Sequence, residues 1–299
     1  MLLAFLTLAG VAQSQGPSLL GQAPAAEDEF LPFACPMDPD VRSRQKGVCS
    51  KCGMELILTT SSAVEYPVRL TVDPETAPAG QEVELRFEVL HPEDGSVVKD
   101  FVPVHERLFH LLFVSHDLEI FRHEHPDVGE DGVFRIKTKF PKPGVYRMLV
   151  DFCPKGGVPQ AVPLTVATRG FHGDLEASRA RLKADIGPKR GENLTVSFQN
   201  GAQAPVAGLK TELLFKVEPA DRLQKYLGAW AHMLAVSQDL VDMIHAHPNR
   251  ADGAGDIQFK LIFPRPGIYR VWVQVQRDDK VSAVPFTIQV SDLGSIAMR

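Results

Sequence analysis

His110–Pro126 reads HLLFVSHDLEIFRHEHP, and His232–Pro248 reads HMLAVSQDLVDMIHAHP, the same pattern about 122 residues further on with no gap. Two later blocks follow in the same order. FPKPGVYRMLV (Phe140–Val150) is matched by FPRPGIYRVWV (Phe263–Val273), and AVPLTV (Ala161–Val166) by AVPFTI (Ala283–Ile288). Agreement of this length and order marks an internal duplication. Within each copy, short apolar or alternating runs are separated by Pro/Gly turns. VRLTVDPE, QEVELRFEVL, LFHLLFVS, VFRIKTKF, VYRMLVDF and AVPLTVAT are the clearest strands of the first copy.

Six or seven strands in about 100 residues, with a Pro-Gly-x-Tyr step into a late strand, fit an immunoglobulin-like sandwich. Tyr146 and Tyr269 then stand at the corner, their hydroxyls bonding backbone. No long amphipathic helix is visible. LEASRARLKAD (Leu175–Asp185) reads either as a helical turn or as the start of the second copy. The fold class expected is mainly β: a small cysteine knuckle followed by two tandem immunoglobulin-like β-sandwiches. The boundaries expected are 61–168 for the first sandwich, 169–178 for a linker and 179–292 for the second.

Six of the ten histidines occupy equivalent places: His110, His123 and His125, and His232, His245 and His247. If the block is a hairpin turning at Asp117-Leu118, His110 faces His125, and His123 faces Leu112 on the same side. The second copy places His232 opposite His247 with His245 beside them. Cross-strand neighbours have Cβ atoms about 5 Å apart and diagonal ones about 7–8 Å, so three imidazoles converge within reach of one ion. Phe121 and Met243 begin the histidine parity, whereas Ile120, Arg122 and Glu124 share the other, wetter parity. The imidazoles are therefore expected to point inward, near the rim of each sandwich. Two readings stand: metal ligation, or hydrogen-bonded strand ends. Asp117 and Asp239 read as turn residues, and His91, His105 and His172, without counterparts, as surface.

FACPMDPDVRSRQKGVCSKCGMELIL (Phe33–Leu58) holds three of the four cysteines. Cys49 and Cys52 frame a C-x-x-C-G knuckle that turns two thiols toward one point, Cys35 offers a third, and Met37 and Met54 add thioethers. Such soft donors favour copper(I) or zinc over calcium or magnesium. The competing reading is oxidation of Cys49 and Cys52 to a disulfide. The run C-P-M-D-P-x-V…G-x-C-x-K-C-G-M-x-L resembles the short heavy-metal-binding domain of metal-efflux adaptors and heavy-metal P-type ATPases. Asp38, Lys46 and Ser50 depart from that family's usual His, Pro and Pro. The resemblance implies a copper or zinc ion as the bound species and an envelope efflux or transfer partner. The whole chain also resembles exported bacterial proteins with such a motif ahead of β-domains.

The bulk numbers agree with this organisation. Apolar residues make up 44% and charged residues 23%, with 23 Pro and 23 Gly, as in turn-rich β-structure. A net charge of -5 without a basic run argues against nucleic acid. Leu2–Val11 is an apolar run of signal-peptide length with Ala12-Gln13-Ser14 behind it, too short to span a bilayer. This predicts a signal peptide over 1–14, a flexible lead-in over 15–30, the metal knuckle over 31–60, and a periplasmic or secreted protein with no membrane span once processed. Phosphate loops, G-x-S-x-G and H-E-x-x-H are absent from the sequence, so a non-enzymatic metal-binding protein is expected, with an envelope scaffold as the alternative. Cys153 has no counterpart in the second copy, where Gln276 stands, and reads as a lone thiol, a late metal ligand or a partner for a clustered cysteine.

Overall fold

A computed structural model describes residues 33–35, 41–43, 45–58, 65–174, 179–200, 204–296 of the chain. The segments read as signal peptide and lead-in, and Met37, lie outside the described residues. Three two-residue strands open the fold: β1 (Phe33–Ala34), β2 (Arg42–Ser43) and β3 (Ile57–Leu58), joined antiparallel in the order β2-β1-β3.

The first copy contributes β4 (Val68–Asp73), β5 (Glu82–Val89), β6 (Phe109–Ser115), β7 (Phe121–Glu124), β8 (Asp127–Val128), β9 (Phe134–Lys139), β10 (Val145–Phe152) and β11 (Gln160–Ala167). These form two four-stranded sheets, β4-β5-β9-β8 and β11-β10-β6-β7. Each of the six strands expected from the sequence is present. The second copy contributes β12 (Lys189–Arg190), β13 (Thr195–Phe198), β14 (Lys210–Glu218), β15 (Leu223–Gln224), β16 (His232–Ser237), β17 (Met243–Ala246), β18 (Pro248–Ala251), β19 (Asp256–Ile262), β20 (Gly267–Arg277) and β21 (Lys280–Val290). Its sheets are β12-β13-β14-β19-β18 and β15-β20-β16-β17, with β21 on β20. In the described part of Leu175–Asp185 there is no helix; Asp185 instead bridges Thr287 in extended backbone.

Tyr146 bonds backbone as expected, whereas Tyr269 is shared between backbone and the Asp242 carboxylate, its nearer acceptor at 2.7 Å. The Tyr146 hydroxyl donates to the Lys142 carbonyl at 2.9 Å, and the Tyr269 hydroxyl lies 3.0 Å from the Arg265 carbonyl. The hairpin register also matches the sequence reading: Leu112 pairs His123 and Leu234 pairs His245. Each turn is fixed by its aspartate, which accepts from the serine hydroxyl two residues earlier (Ser115, Ser237), and by a leucine in the left-handed region at φ 56° and 61° (Leu118, Leu240).

Every residue of β6 and β16 is buried, so both faces of each strand are covered. On β6, Phe109, Leu111 and Phe113 enter the core of their own sandwich. Leu112 and Val114, on the opposite parity, join Leu118, Leu149, Leu234, Val236, Leu240 and Trp272 in a separate cluster drawn from both copies. That cluster is pseudo-symmetric: Leu112 corresponds to Leu234, Val114 to Val236, Leu118 to Leu240, and Leu149 to Trp272. The inner sheets of the two sandwiches thus pack on each other through equivalent residues, which is how a duplicated domain buries the same apolar patch twice.

This corrects the expected direction of the histidine face. His110, His123 and His232 are buried and His125, His245 and His247 half-buried, but they point out of their own sandwich toward the other one. Ile120, expected to be wet, packs against the first core. Among the described residues no helix is long and apolar enough to cross a membrane, which leaves β-barrels unaddressed.

Candidate metal centres

The knuckle is built by local backbone bonds. The Cys49 amide donates to the Met54 carbonyl at 2.7 Å and the Gly53 amide to the Cys49 carbonyl at 2.9 Å, with Gly53 at φ 75°, a conformation glycine adopts without a Cβ penalty. Cys35 is tied in by its amide bond to the Val41 carbonyl at 3.0 Å. Leu56, Phe33 and Val41 pack around buried Cys35 and Cys49, while Cys52 faces solvent. The three Sγ atoms lie within 4.8 Å of one another. Cys35 Sγ is 3.4 Å from Cys52 Sγ, well beyond the roughly 2.05 Å of a disulfide, and none of the four cysteines is disulfide-bonded. The Cys35 contact and burial push the Cys52 thiol far up, and burial raises Cys49. Three crowded thiols cannot ionise together without a cation, and a soft cation supplies the missing charge. The donor set fits such an ion. Met54 is half-buried beside the knuckle.

The six duplicated histidines meet between the sandwiches. His110 Nε2 donates to the Val104 carbonyl at 2.9 Å, and His232 Nε2 to the Tyr226 carbonyl at 2.8 Å. Those carbonyls belong to equivalent tight turns closed by Val104–Arg107 and Tyr226–Ala229. The second support crosses between copies: His123 Nδ1 lies 2.8 Å from Gln274 Oε1, and His245 Nδ1 lies 2.9 Å from Asp151 Oδ2. Gln274 and Asp151 are themselves equivalent positions, so the exchange is reciprocal.

Ligand atoms of His110, His123 and His125 lie within 4.8 Å of one another, as the sequence predicts. The other such group is not the second-copy triad but His123, His232 and His245, which mixes the copies. His247 packs beside it, its ring centroid 4.5 Å from His245 and 4.6 Å from His232. Two separate sites give way to one shared cluster.

His105, read as a surface residue, is also part of it. Its ring stacks on His247 at 3.8 Å, and the residue sits at φ 45° in a turn whose second-copy equivalent is Leu227-Gly228. Leu227 shares that left-handed conformation at φ 50°, and only Glu106, at φ 64°, stands where the other copy has a glycine, so the turn itself does not mark His105 from sequence. His91 and His172 are exposed. Burial pushes all seven imidazoles below their ordinary value, His105 to about 4 and His125 to about 2, so the cluster is neutral at physiological pH, the form in which imidazole binds metal. Burial raises Asp151 to about 6. Cys153 is buried in the first sandwich, its thiol pushed by burial up to about 12, and it belongs to neither cluster.

A thiol cage on a small three-stranded sheet, ahead of two β-sandwiches that share a histidine cluster, defines a β-protein able to coordinate metal through Cys and His. The chain belongs to the family described as Domain of unknown function (DUF8832), whose model matches residues 61–170 and again 189–292. A second family model, Heavy metal binding domain, matches residues 33–57. No curated protein matches the chain. Solved structures similar to it include the Yersinia pseudotuberculosis adhesin InvE, at 10% identity over 74% of this chain with a TM-score of 0.23; this chain spans 58% of that one. A two-domain fibronectin type-III segment from chicken tenascin is 13% identical over 75% of this chain and 99% of that one, TM-score 0.23. Fibronectin(III)-like modules of Clostridium thermocellum CbhA are 11% identical over 74% and 93%, TM-score 0.21. At these TM-scores none of the three bears on function.

Proposed function

We propose that this is an exported, non-enzymatic heavy-metal-binding protein that sequesters or hands on a soft ion, copper(I) in preference to zinc, in metal homeostasis or resistance. The observation that carries this reading is the convergence of Cys35, Cys49 and Cys52, without an S–S bond, inside the stretch matched by the heavy-metal-binding model. Met37 and Met54 would assist as thioethers, and the six duplicated histidines would provide further binding capacity. The exposed edge at Cys52 favours transfer over permanent storage, because an incoming partner thiol can reach the ion there. The apolar run Leu2–Val11 supports export to the periplasm or beyond, and an envelope efflux component is the partner such chemistry calls for.

The test is anaerobic copper(I) titration of the full chain against a competing chelator, beside a Cys35→Ser/Cys49→Ser/Cys52→Ser chain. The tightest equivalent should vanish in the triple variant. Equal titration curves, or thiols found paired as disulfides in the metal-loaded protein, would refute the proposal. A scaffold whose histidines serve only architecture would bind no ion at all in the triple variant.

A further inference from the structure

The histidine cluster carries more than spare capacity. Three of its best-fixed rings have one nitrogen committed to a group that can only accept, two turn carbonyls and one carboxylate, and the fourth, His123, is committed in the same way when Gln274 presents its oxygen, as it does here at 2.8 Å. A neutral imidazole carries a single proton. With that proton on the committed nitrogen, the remaining nitrogens of His110, His123, His232 and His245 are bare lone pairs aimed into the interface. His110 Nδ1 and His123 Nε2 are 3.1 Å apart. Two bare nitrogens at that distance repel unless a cation lies between them. Two nitrogens bound to one tetrahedral ion at about 2.0–2.1 Å lie roughly 3.3 Å apart. The buried Nδ1 of His232 and Nε2 of His245 have no hydrogen-bond partner, nor do the Nε2 atoms of His125 and His247. Buried polar atoms are ordinarily satisfied, so orphans gathered at one point call for an explanation.

We infer that the interface between the two sandwiches is itself a metal centre, distinct from the thiol cage, in which both copies ligate a divalent first-row transition ion through imidazole nitrogen alone. His123 belongs to both groups of converging ligand atoms and is the hinge of the set. The supports follow the pattern of imidazole metal sites, in which the far nitrogen of each ligand donates to a carbonyl or carboxylate that fixes its tautomer and orientation. Here the support for His123 comes from β20 of the second copy and the support for His245 from β10 of the first. Ion binding and docking of the sandwiches are therefore one event. An all-imidazole set suits zinc, copper, nickel or cobalt, and none of the converging groups supplies the oxygen donors that calcium or magnesium require.

This rests on the histidine part of the function proposed above and not on the cysteine part, so the test removes the three thiols of the cage. The Cys35→Ser/Cys49→Ser/Cys52→Ser chain is unfolded, refolded with Zn2+, desalted, and analysed for bound zinc and for its unfolding midpoint. It should retain zinc and unfold at a higher midpoint than the same chain refolded in chelator. Adding His123→Gln, which keeps a polar side chain opposite Gln274, should abolish retention altogether, and His245→Gln should do the same. His91→Ala and His172→Ala, both at exposed positions, are the controls for adventitious zinc. Co2+ in place of Zn2+ should give visible ligand-field bands without thiolate charge transfer, a readout that does not depend on the variants folding. Absence of zinc and of those bands in the triple-cysteine chain would overturn the centre. Retention of half the zinc after His123→Gln would overturn the sharing, since independent triads would each keep their own ion. Neither result touches the copper(I) titration that tests the thiol cage.

Discussion

Asp151 in the first copy and Gln274 in the second occupy equivalent places on β10 and β20, and each holds a histidine of the opposite copy. Leu149 and Trp272, two residues earlier on the same strands, fill equivalent places in the apolar part of the interface. His105 has only Leu227 as its counterpart. The scaffold of the duplication is thus retained while its fillings have diverged: the three imidazoles of each hairpin are the same in both copies, but their supports, the wedge beside them and one flanking ring are not. The pattern separates what the interface needs twice from what it needs once. Three imidazoles and three aliphatic contacts occur in both copies; a half-buried carboxylate and a large indole occur in one.

The most severe way to break that comparison is to cut the wedge. Trp272 is buried and stacks on Phe121 of the other copy, ring centroids 5.3 Å apart. Trp272→Ala should cost about 3–5 kcal/mol, of which the aromatic pair accounts for about 0.5–1.5 kcal/mol. Leu149→Ala should cost about 2–5 kcal/mol and fall below it, having no ring partner to lose. Urea unfolding of both variants gives the order directly. Equal losses would mean that the indole is mere filler and that the asymmetry carries no packing energy.

A finer cut exchanges the supports. A carboxylate has no N–H and can only accept, so Asp151 fixes the proton of His245 on Nδ1 and leaves Nε2 bare. Asp151→Asn can turn its amide to donate, moving that proton onto the nitrogen that faces the ion. Outer-shell changes of this kind lower metal affinity about 10- to 100-fold. Gln274→Glu should act in the opposite sense by removing the same freedom from His123. Competition for Zn2+ in the Cys35→Ser/Cys49→Ser/Cys52→Ser chain measures both; an Asp151→Asn change there that leaves binding as tight as in the parent would reduce Asp151 to a packing residue.

Much of this was legible from residues alone, and the failures share one cause. Alternation and turn chemistry suffice to pair Leu112 with His123 and Leu234 with His245, because hairpin register depends only on local backbone geometry. Parity also identifies the histidine face as buried. It does not say what covers that face, since a strand apolar on both sides reads the same whether its second partner is its own sandwich or another. The clue lay in the duplication itself: Leu112, Val114 and Leu118 recur as Leu234, Val236 and Leu240, a patch written twice to be buried against itself. The thiol cage, by contrast, is local in sequence: Cys35, Cys49 and Cys52 lie within 18 residues, and their Sγ atoms lie within 4.8 Å of one another. His105 escaped because its neighbours in the cluster are more than a hundred residues away, among them His232 and His247.

The smallest difference between the copies lies at the hairpin turns, on the surface. Arg265 bonds Asp239 at 2.9 Å and Asp242 at 3.0 Å, while its counterpart Lys142 pairs with Asp117 and Glu119. Burial pushes the Asp239 carboxyl up, but bonds from Arg265 and Ser237 outweigh it and hold the group at about 2. Asp117 is lowered as well, burial again being outweighed by Lys142 and Ser115. In the unfolded chain an aspartate titrates near 3.9. A depressed carboxyl stabilises the folded state above that value, and the contribution fades as the pH falls toward 2. Both clamps are half in water, so each is worth no more than about 1 kcal/mol. Arg265→Ala should flatten the loss of stability between about pH 4 and pH 2, and Lys142→Ala should flatten it less, because a guanidinium fork holds two carboxylates in fixed geometry where an ammonium cannot. Thermal midpoints across that range, at low salt, decide it. Identical slopes for the two variants would show that the turns, unlike the interface, have not diverged in anything that folding registers.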